Sequence, residues 1–126
     1  MKMLIVDDSD LLQSRLRDAI MEVDKTISIS QARSYKEGLE LFTSFGPDTV
    51  ILDIALPDGS GIDLLQIFKK DRPSVNMIIF TNYPTSEFKK SCMELGADLF
   101  IDKSNLRSLL WSIKQKNFHN GLAGCE

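Results

Sequence analysis

The sequence predicts an α/β domain of the doubly wound type, a five-stranded parallel sheet with helices on both faces. Three observations predict it. Short apolar runs alternate five times with segments of helical periodicity along the 126 residues. The runs are nearly continuous in apolar residues, as strands buried on both faces require. The spacing leaves room for a helix between successive strands, which gives right-handed crossovers and a parallel sheet.

Met3-Leu4-Ile5-Val6 is a short apolar run ended by Asp7-Asp8, and reads as the first strand. Ser9 or Asp10 can cap a helix whose apolar positions are Leu12, Leu16, Ala19, Ile20 and Val23. Ile27 to Ala32 is the second strand. Tyr35, Gly38, Leu39, Phe42 and Phe45 mark the second helix, stopped by Gly46-Pro47. Thr49 to Leu52 is the third strand, terminated by Asp53. Pro57-Asp58-Gly59-Ser60-Gly61 is turn chemistry. A third helix follows with Ile62, Leu65 and Phe68 on one side. Val75 to Phe80 is the fourth strand, ending at Thr81, and Ser86 to Leu95 is the fourth helix, closed by Gly96. Asp98 to Ile101 is the fifth strand, ending at Asp102-Lys103. The last helix starts near Ser104 or Asn105 and turns Leu106, Leu109, Leu110 and Ile113 inward. Residues 1–117 form one domain; 118–126 read as a flexible tail with no output domain.

Composition narrows the classes. Apolar residues make up 43% and charged residues 26%, ordinary for a globular chain. No apolar run approaches the roughly 20 residues that span a bilayer. The apolar start is too short for a signal peptide, so the expected location is the cytoplasm. A net charge of −3 argues against nucleic acid as a direct partner. Cys92 and Cys125 make no CxxC pair, and Cys92 falls on an apolar helical face where packing is its expected role. His119, the single histidine, has no partner residues for metal or phosphoryl chemistry. Gly59-Ser60-Gly61 hints at a phosphate loop, but position 64 is Leu64 and the dinucleotide fingerprint fails.

In a sheet of this kind the functional crevice lies beyond the carboxyl ends of the strands. The residues there are Asp7, Asp8, Asp53, Thr81 and Lys103. Three carboxylates brought together repel unless a cation or protons neutralise them. Mg²⁺ is the fitting cation: hard, oxygen-seeking, and usually bound by one or two carboxylates beside a phosphate. With that charge balanced, Asp53 can act as a nucleophile toward a phosphoryl group. Lys103 can offset charge on the phosphoryl oxygens and the Thr81 hydroxyl can donate to one of them. Each residue alone has an ordinary reading as a cap, a turn or a surface group. The set gains weight because it recurs at the same end of four strands.

The strings Leu4-Ile5-Val6-Asp7-Asp8, Val50-Ile51-Leu52-Asp53, Leu56-Pro57-Asp58-Gly59-Ser60-Gly61, Ile79-Phe80-Thr81 and Gly96-Ala97-Asp98, leading to Phe100 and Lys103, resemble the receiver domains of two-component response regulators. The likeness runs over about residues 2 to 117. It implies a flavodoxin-like receiver fold with strand order 2-1-3-4-5 and five helices. It implies that Asp53 takes phosphate from a histidine kinase or phosphotransfer protein. Mg²⁺ would be held by Asp8, Asp53 and the Ala55 backbone carbonyl, with Asp7 assisting. Thr81 and Phe100 would form the switch, reshaping the face made by the fourth helix, fifth strand and fifth helix for a downstream protein. The chain would then be a stand-alone regulator and no enzyme beyond its own phosphoryl transfer and slow dephosphorylation. It would be a monomer or a weak phosphorylation-dependent dimer. On the last helix, Trp111 points away from Leu106, Leu110 and Ile113, with Arg107 and Lys114 on its side, and is a candidate partner surface, packing against the fourth helix or the tail being the alternative.

The sequence departs from the family pattern in places. Ser104 follows Lys103 where relatives often carry proline; a cis bond there would cost about 2.5–4 kcal/mol, so trans is expected. Ala55 and Tyr83 offer no carboxamide or acid to orient a hydrolytic water, which predicts slow self-dephosphorylation. Asn82 and Ser104 also leave room for a second reading, a receiver-like binding module that never uses phosphate. A phosphatase of the haloacid dehalogenase type would need an acid at Ala55 and is disfavoured.

Overall fold

Every helix begins where the chain supplies a side-chain acceptor for its free amides. Ser9, Ser34, Ser60, Thr85 and Asn105 accept from the amides of Leu12, Glu37, Ile62, Phe88 and Ser108. The computed structural model describes residues 1–116 and residue 118. In it the elements run β1 (Lys2–Val6), α1 (Asp10–Val23), β2 (Ser28–Ala32), α2 (Tyr35–Phe45) and β3 (Thr49–Leu52). They continue α3 (Gly61–Asp71), β4 (Asn76–Thr81), α4 (Ser86–Glu94), β5 (Leu99–Asp102) and α5 (Leu106–Gln115). Between β3 and α3 a small antiparallel hairpin pairs Ala55 with Ser60 and Leu56 with Gly59. The predicted turn chemistry therefore closes into a ladder of its own. Gly46 ends α2 in the left-handed region at φ 65°, a conformation glycine adopts at little steric cost.

The five main strands are parallel in the order β2-β1-β3-β4-β5. This is the doubly wound fold that the sequence predicts. Strand order reverses at β1, which has β2 on one side and β3 on the other, so the crevice opens over the ends of β1 and β3.

Alternation along each strand feeds two cores. Leu4, Val6, Val50, Leu52, Met77 and Ile79 meet Phe42, Leu64, Phe68 and Cys92 from α2, α3 and α4. Met3, Ile5, Ile51, Ile78 and Phe80 meet Leu16, Ile20, Leu109 and Ile113 from α1 and α5. Cys92 is fully buried in the first core, as its apolar position predicts, and burial pushes its thiol up to about 11. Phe42 stacks on Phe68 with ring centroids 3.9 Å apart, and the Arg72 guanidinium also lies over Phe42, 4.1 Å from its ring centroid.

Several details differ from expectation. Val75 precedes β4, and Asp98 precedes β5 as a bracket: its amide donates to Met77 O and its carboxylate accepts from Met77 N. In α5 the buried stripe is Ser108, Leu109, Ser112 and Ile113, while Leu106 and Leu110 are only half-buried. The two serines let the helix lie close, and Ser112 Oγ is satisfied by donating to Ser108 O at 2.9 Å. Trp111 is consequently half-buried against the second core, on its flank, and does not turn away from Ile113. Of the tail, Phe118 is buried in that same core; His119 and Cys125 lie outside the described residues.

Candidate functional site

The site is built by continuing the sheet one residue past its strands. The Asp7 amide donates to Ala32 O, the Asp53 amide to Val6 O, and the Lys103 amide to Thr81 O, each at 2.9–3.0 Å. Three charged residues are thereby held by ladder bonds at the edge where the strands end. Asp7 and Asp53 are 3% and 5% exposed, Asp8 is exposed. Asp7, Asp8 and Asp53 each place a carboxylate oxygen within 4.8 Å of the others.

Lys103 crosses the cluster. Its Nζ is 2.7 Å from Asp7 Oδ2 and 2.9 Å from Asp53 Oδ2. Burial works against the ammonium, but the hydrogen bonds to Asp7 and Asp53 outweigh it, so its pKa is raised and it stays charged. Asp53 moves up as well. Burial is the chief cause, with the Asp7 charge adding to it, and the Lys103 hydrogen bond and charge, with the Ala55 backbone amide, compensate only in part. Asp53 Oδ1 is buried and makes no well-formed hydrogen bond among the described residues, the Ala55 amide easing its charge only weakly. Three carboxylates against one ammonium leave two surplus negative charges beside an unsatisfied anionic oxygen. Such a donor set, all hard oxygen and doubly negative in balance, fits a small divalent cation such as Mg²⁺.

Thr81 is fully buried at the end of β4, and its Oγ1 accepts from the Tyr83 amide at 3.0 Å. Asn82 and Tyr83 are exposed. Lys103 and Ser104 are joined by a trans peptide, since no cis bond occurs among the described residues. Asp102 turns the chain there, accepting from Ser104 N and, through its carbonyl, from Asn105 N. Ala55 is exposed in the hairpin beside the site. Phe100 sits on β5 opposite Ile79, half-buried against the first core. Arg107 and Lys114 are exposed on α5, on the helix that carries Trp111.

The hairpin is fixed by contacts the sequence reading did not foresee. Gly61 N donates to Ile54 O at 2.7 Å, and a Cβ at Gly61 would lie 1.9 Å from the Asp53 carbonyl oxygen, so the chain can pass only as glycine. The Asp58 carboxylate accepts from the amides of Tyr35 and Lys36 at the start of α2, at 2.7 and 3.1 Å. Those amide bonds, Tyr35's first, hold its pKa below the usual carboxylate value. Gln13 is the other surprise. It is fully buried on the stripe of Leu16 and Ile20, and its amide lies under the acidic pair. A polar residue in register with an apolar stripe was the available signal.

The family described as "Response regulator receiver domain" matches residues 3–114. A protein-glutamate methylesterase/protein-glutamine glutaminase of Geobacillus kaustophilus is 33% identical over 103 residues, 81% of this chain and 30% of that protein. The chemotaxis protein CheY of Halobacterium salinarum is 30% identical over 102 residues, 81% of this chain and 83% of that one. Among solved structures, a CheY-like response regulator receiver domain protein from Methanospirillum hungatei superposes with a TM-score of 0.83 at 31% identity, covering 92% of each chain. The chain spans 30% and 57% of the length of two further-reaching relatives, the methylesterase and a response regulator VraR of Staphylococcus saprophyticus, so the match to them is to one portion.

Proposed function

This chain belongs to the response regulator receiver domain family, and from that premise we propose that it is a phosphorylation-dependent switch whose phosphoryl acceptor is Asp53. The observation that supports this most is the Lys103 ammonium shared between Asp7 and Asp53, beside an Asp53 oxygen left without a partner.

Asp8, Asp53 and the Ala55 carbonyl would hold Mg²⁺, with Asp7 assisting; when bound, the ion supplies charge neutralisation for an incoming phosphoryl group. A carboxylate oxygen of Asp53 attacks the phosphorus of a partner's phosphohistidine. An O–P bond forms, the P–N bond breaks, and the electron pair leaves with the imidazole. Lys103 balances charge on the phosphoryl oxygens, and it needs no proton transfer because it is already an ammonium. The Thr81 hydroxyl then donates to a phosphoryl oxygen, giving up its bond from Tyr83 N. Phe100 repacks into the space released. The α4–β5–α5 face, with Trp111, Arg107 and Lys114, changes shape for a downstream protein. The donor is a histidine kinase or a phosphotransfer protein. No helix among the described residues is long and apolar enough to cross a membrane.

Incubation with acetyl phosphate and Mg²⁺, followed by intact mass, tests the proposal. The wild-type chain is expected to gain one phosphoryl group and Asp53→Asn none. A wild-type mass that does not change supports instead a receiver-like binding module that works without phosphate.

A further inference from the structure

Resting on that reading, we infer that Gln13 is a positioning residue for the acidic pair, acting through the peptide that joins Asp7 to Asp8. Gln13 is fully buried in α1, where a leucine would extend the apolar stripe of Leu16 and Ile20. Its amide is spent on polar contacts. Nε2 lies 2.9 Å from Ala32 O, 3.0 Å from Asp7 O and 3.1 Å from Ile5 O. Two hydrogens serve three carbonyls, so at least one is shared. The amide oxygen is occupied too: Gln31 Nε2 donates to Gln13 Oε1 at 3.0 Å and also reaches Gln13 O at 3.1 Å.

These contacts fall where β1 and β2 leave the sheet. Asp7 is held at its amide by Ala32 O and at Oδ1 by Ser9 N. Gln13 adds a hold on the Asp7 carbonyl. That carbonyl belongs to the peptide from which Asp8 departs, so its rotation sets where the exposed Asp8 carboxylate stands relative to Asp7 and Asp53. A short backbone segment fixed at amide, carboxylate and carbonyl has its two acids arranged before any cation arrives, and such preparation raises affinity. Gln31 orients the Gln13 amide by occupying its oxygen, which leaves the nitrogen to face the three carbonyls.

The test is Mg²⁺ affinity by calorimetry on the folded chain, with hydrogen exchange at the hydrogen-bonded amides of Asp7 and Ser9 as a second readout. Gln13→Met keeps the length and unbranched shape but removes both polar ends. It is expected to weaken Mg²⁺ binding roughly tenfold, the scale seen when groups that orient metal ligands are lost. Exchange at Asp7 and Ser9 is expected to quicken. Ile20→Ala, in the same helix, is expected to lower Tm with Mg²⁺ affinity intact, which separates positioning from general loosening. Should Gln13→Met fail to fold, Gln31→Leu removes only the orienting contact and is expected to lose affinity in the same direction. Unchanged Mg²⁺ affinity in the folded variant overturns the inference alone. A wild-type chain that binds no Mg²⁺ overturns the functional reading and this inference with it.

Discussion

Asp53 carries opposed demands. Burial favours its neutral form, while its proposed chemistry needs the carboxylate. A raised native pKa has a definite sign in linkage. The contribution to stability is full below the unfolded value, near 3.8, and is lost as pH rises through the raised native value. At neutral pH the ionised Asp53 is thus a burden on the metal-free fold. Asn at this position keeps an acceptor for Lys103 and cannot ionise. The Tm of Asp53→Asn is therefore expected to exceed that of the wild type by a margin that widens as pH climbs out of the carboxyl range, and Mg²⁺ should narrow it. A margin independent of pH would contradict the burial argument. Two neighbours bear on how long a phosphoryl group would last. Ala55 has no polar side chain and Tyr83, 52% exposed, has no acid or carboxamide. Neither can orient water as a general base would. Phosphate loss from isolated phosphoprotein is expected to be slow; a half-life of seconds would show that another group activates the water.

At the scale of elements, the hairpin after β3 is the part that tolerates least. Asp58 ties its tip to the start of α2, a ring carbon of Tyr35 lies 2.6 Å from where a Gly59 Cβ would be, and Gly61 passes against the Asp53 carbonyl. Gly61→Ala drives a methyl into that carbonyl and must move backbone. It is expected to lower unfolding free energy by about 3 kcal/mol or more, at the upper end of overpacking effects, and to impair phosphate uptake with it. Denaturant titration and intact mass on the same variant check both; a fully stable, phosphorylatable Gly61→Ala would show that the passage is looser than its geometry. The turn was legible in Pro57-Asp58-Gly59-Ser60-Gly61, but which glycine was obligatory was not, because that depends on a carbonyl eight residues away. Helix α5 shows the same limit. Its apolar spacing pointed to Leu106 and Leu110, yet Ser108 and Ser112 are buried, since small side chains admit close approach whatever their polarity. Trp111 is left half-buried beside exposed Arg107 and Lys114. Trp111→Ala is expected to weaken binding of the downstream partner. Because the ring also packs on the second core, the variant should lose some stability, and binding must be compared at a temperature where both proteins are folded. Equal affinity would remove Trp111 from the interface.

Across the whole molecule, one topological fact gathers the site. A parallel sheet puts the carboxyl ends of all its strands on a single edge, so residues at positions 7, 53 and 103 meet without any local sequence signal linking them. That is why the charged trio could be read from the strand ends once the alternation of strands and helices had predicted the sheet. The contacts that hold them could not. Gln13 looks like an ordinary helix residue until β2 supplies Ala32 O and Gln31, and Asp58 looks like a turn residue until α2 supplies two amides. Pair geometry across elements decides such roles, and periodicity does not encode it. On the proposed function, the acids, with a divalent cation and Lys103, make Asp53 competent to take a phosphoryl group. The rate of phosphate uptake from a small phosphodonor, measured by intact mass across a series of Mg²⁺ concentrations, tests this. The rate is expected to rise and saturate with Mg²⁺ and to vanish in Asp53→Asn. Uptake that ignores Mg²⁺, or persists without the Asp53 carboxylate, would rule out Asp53 as a metal-assisted phosphoryl acceptor.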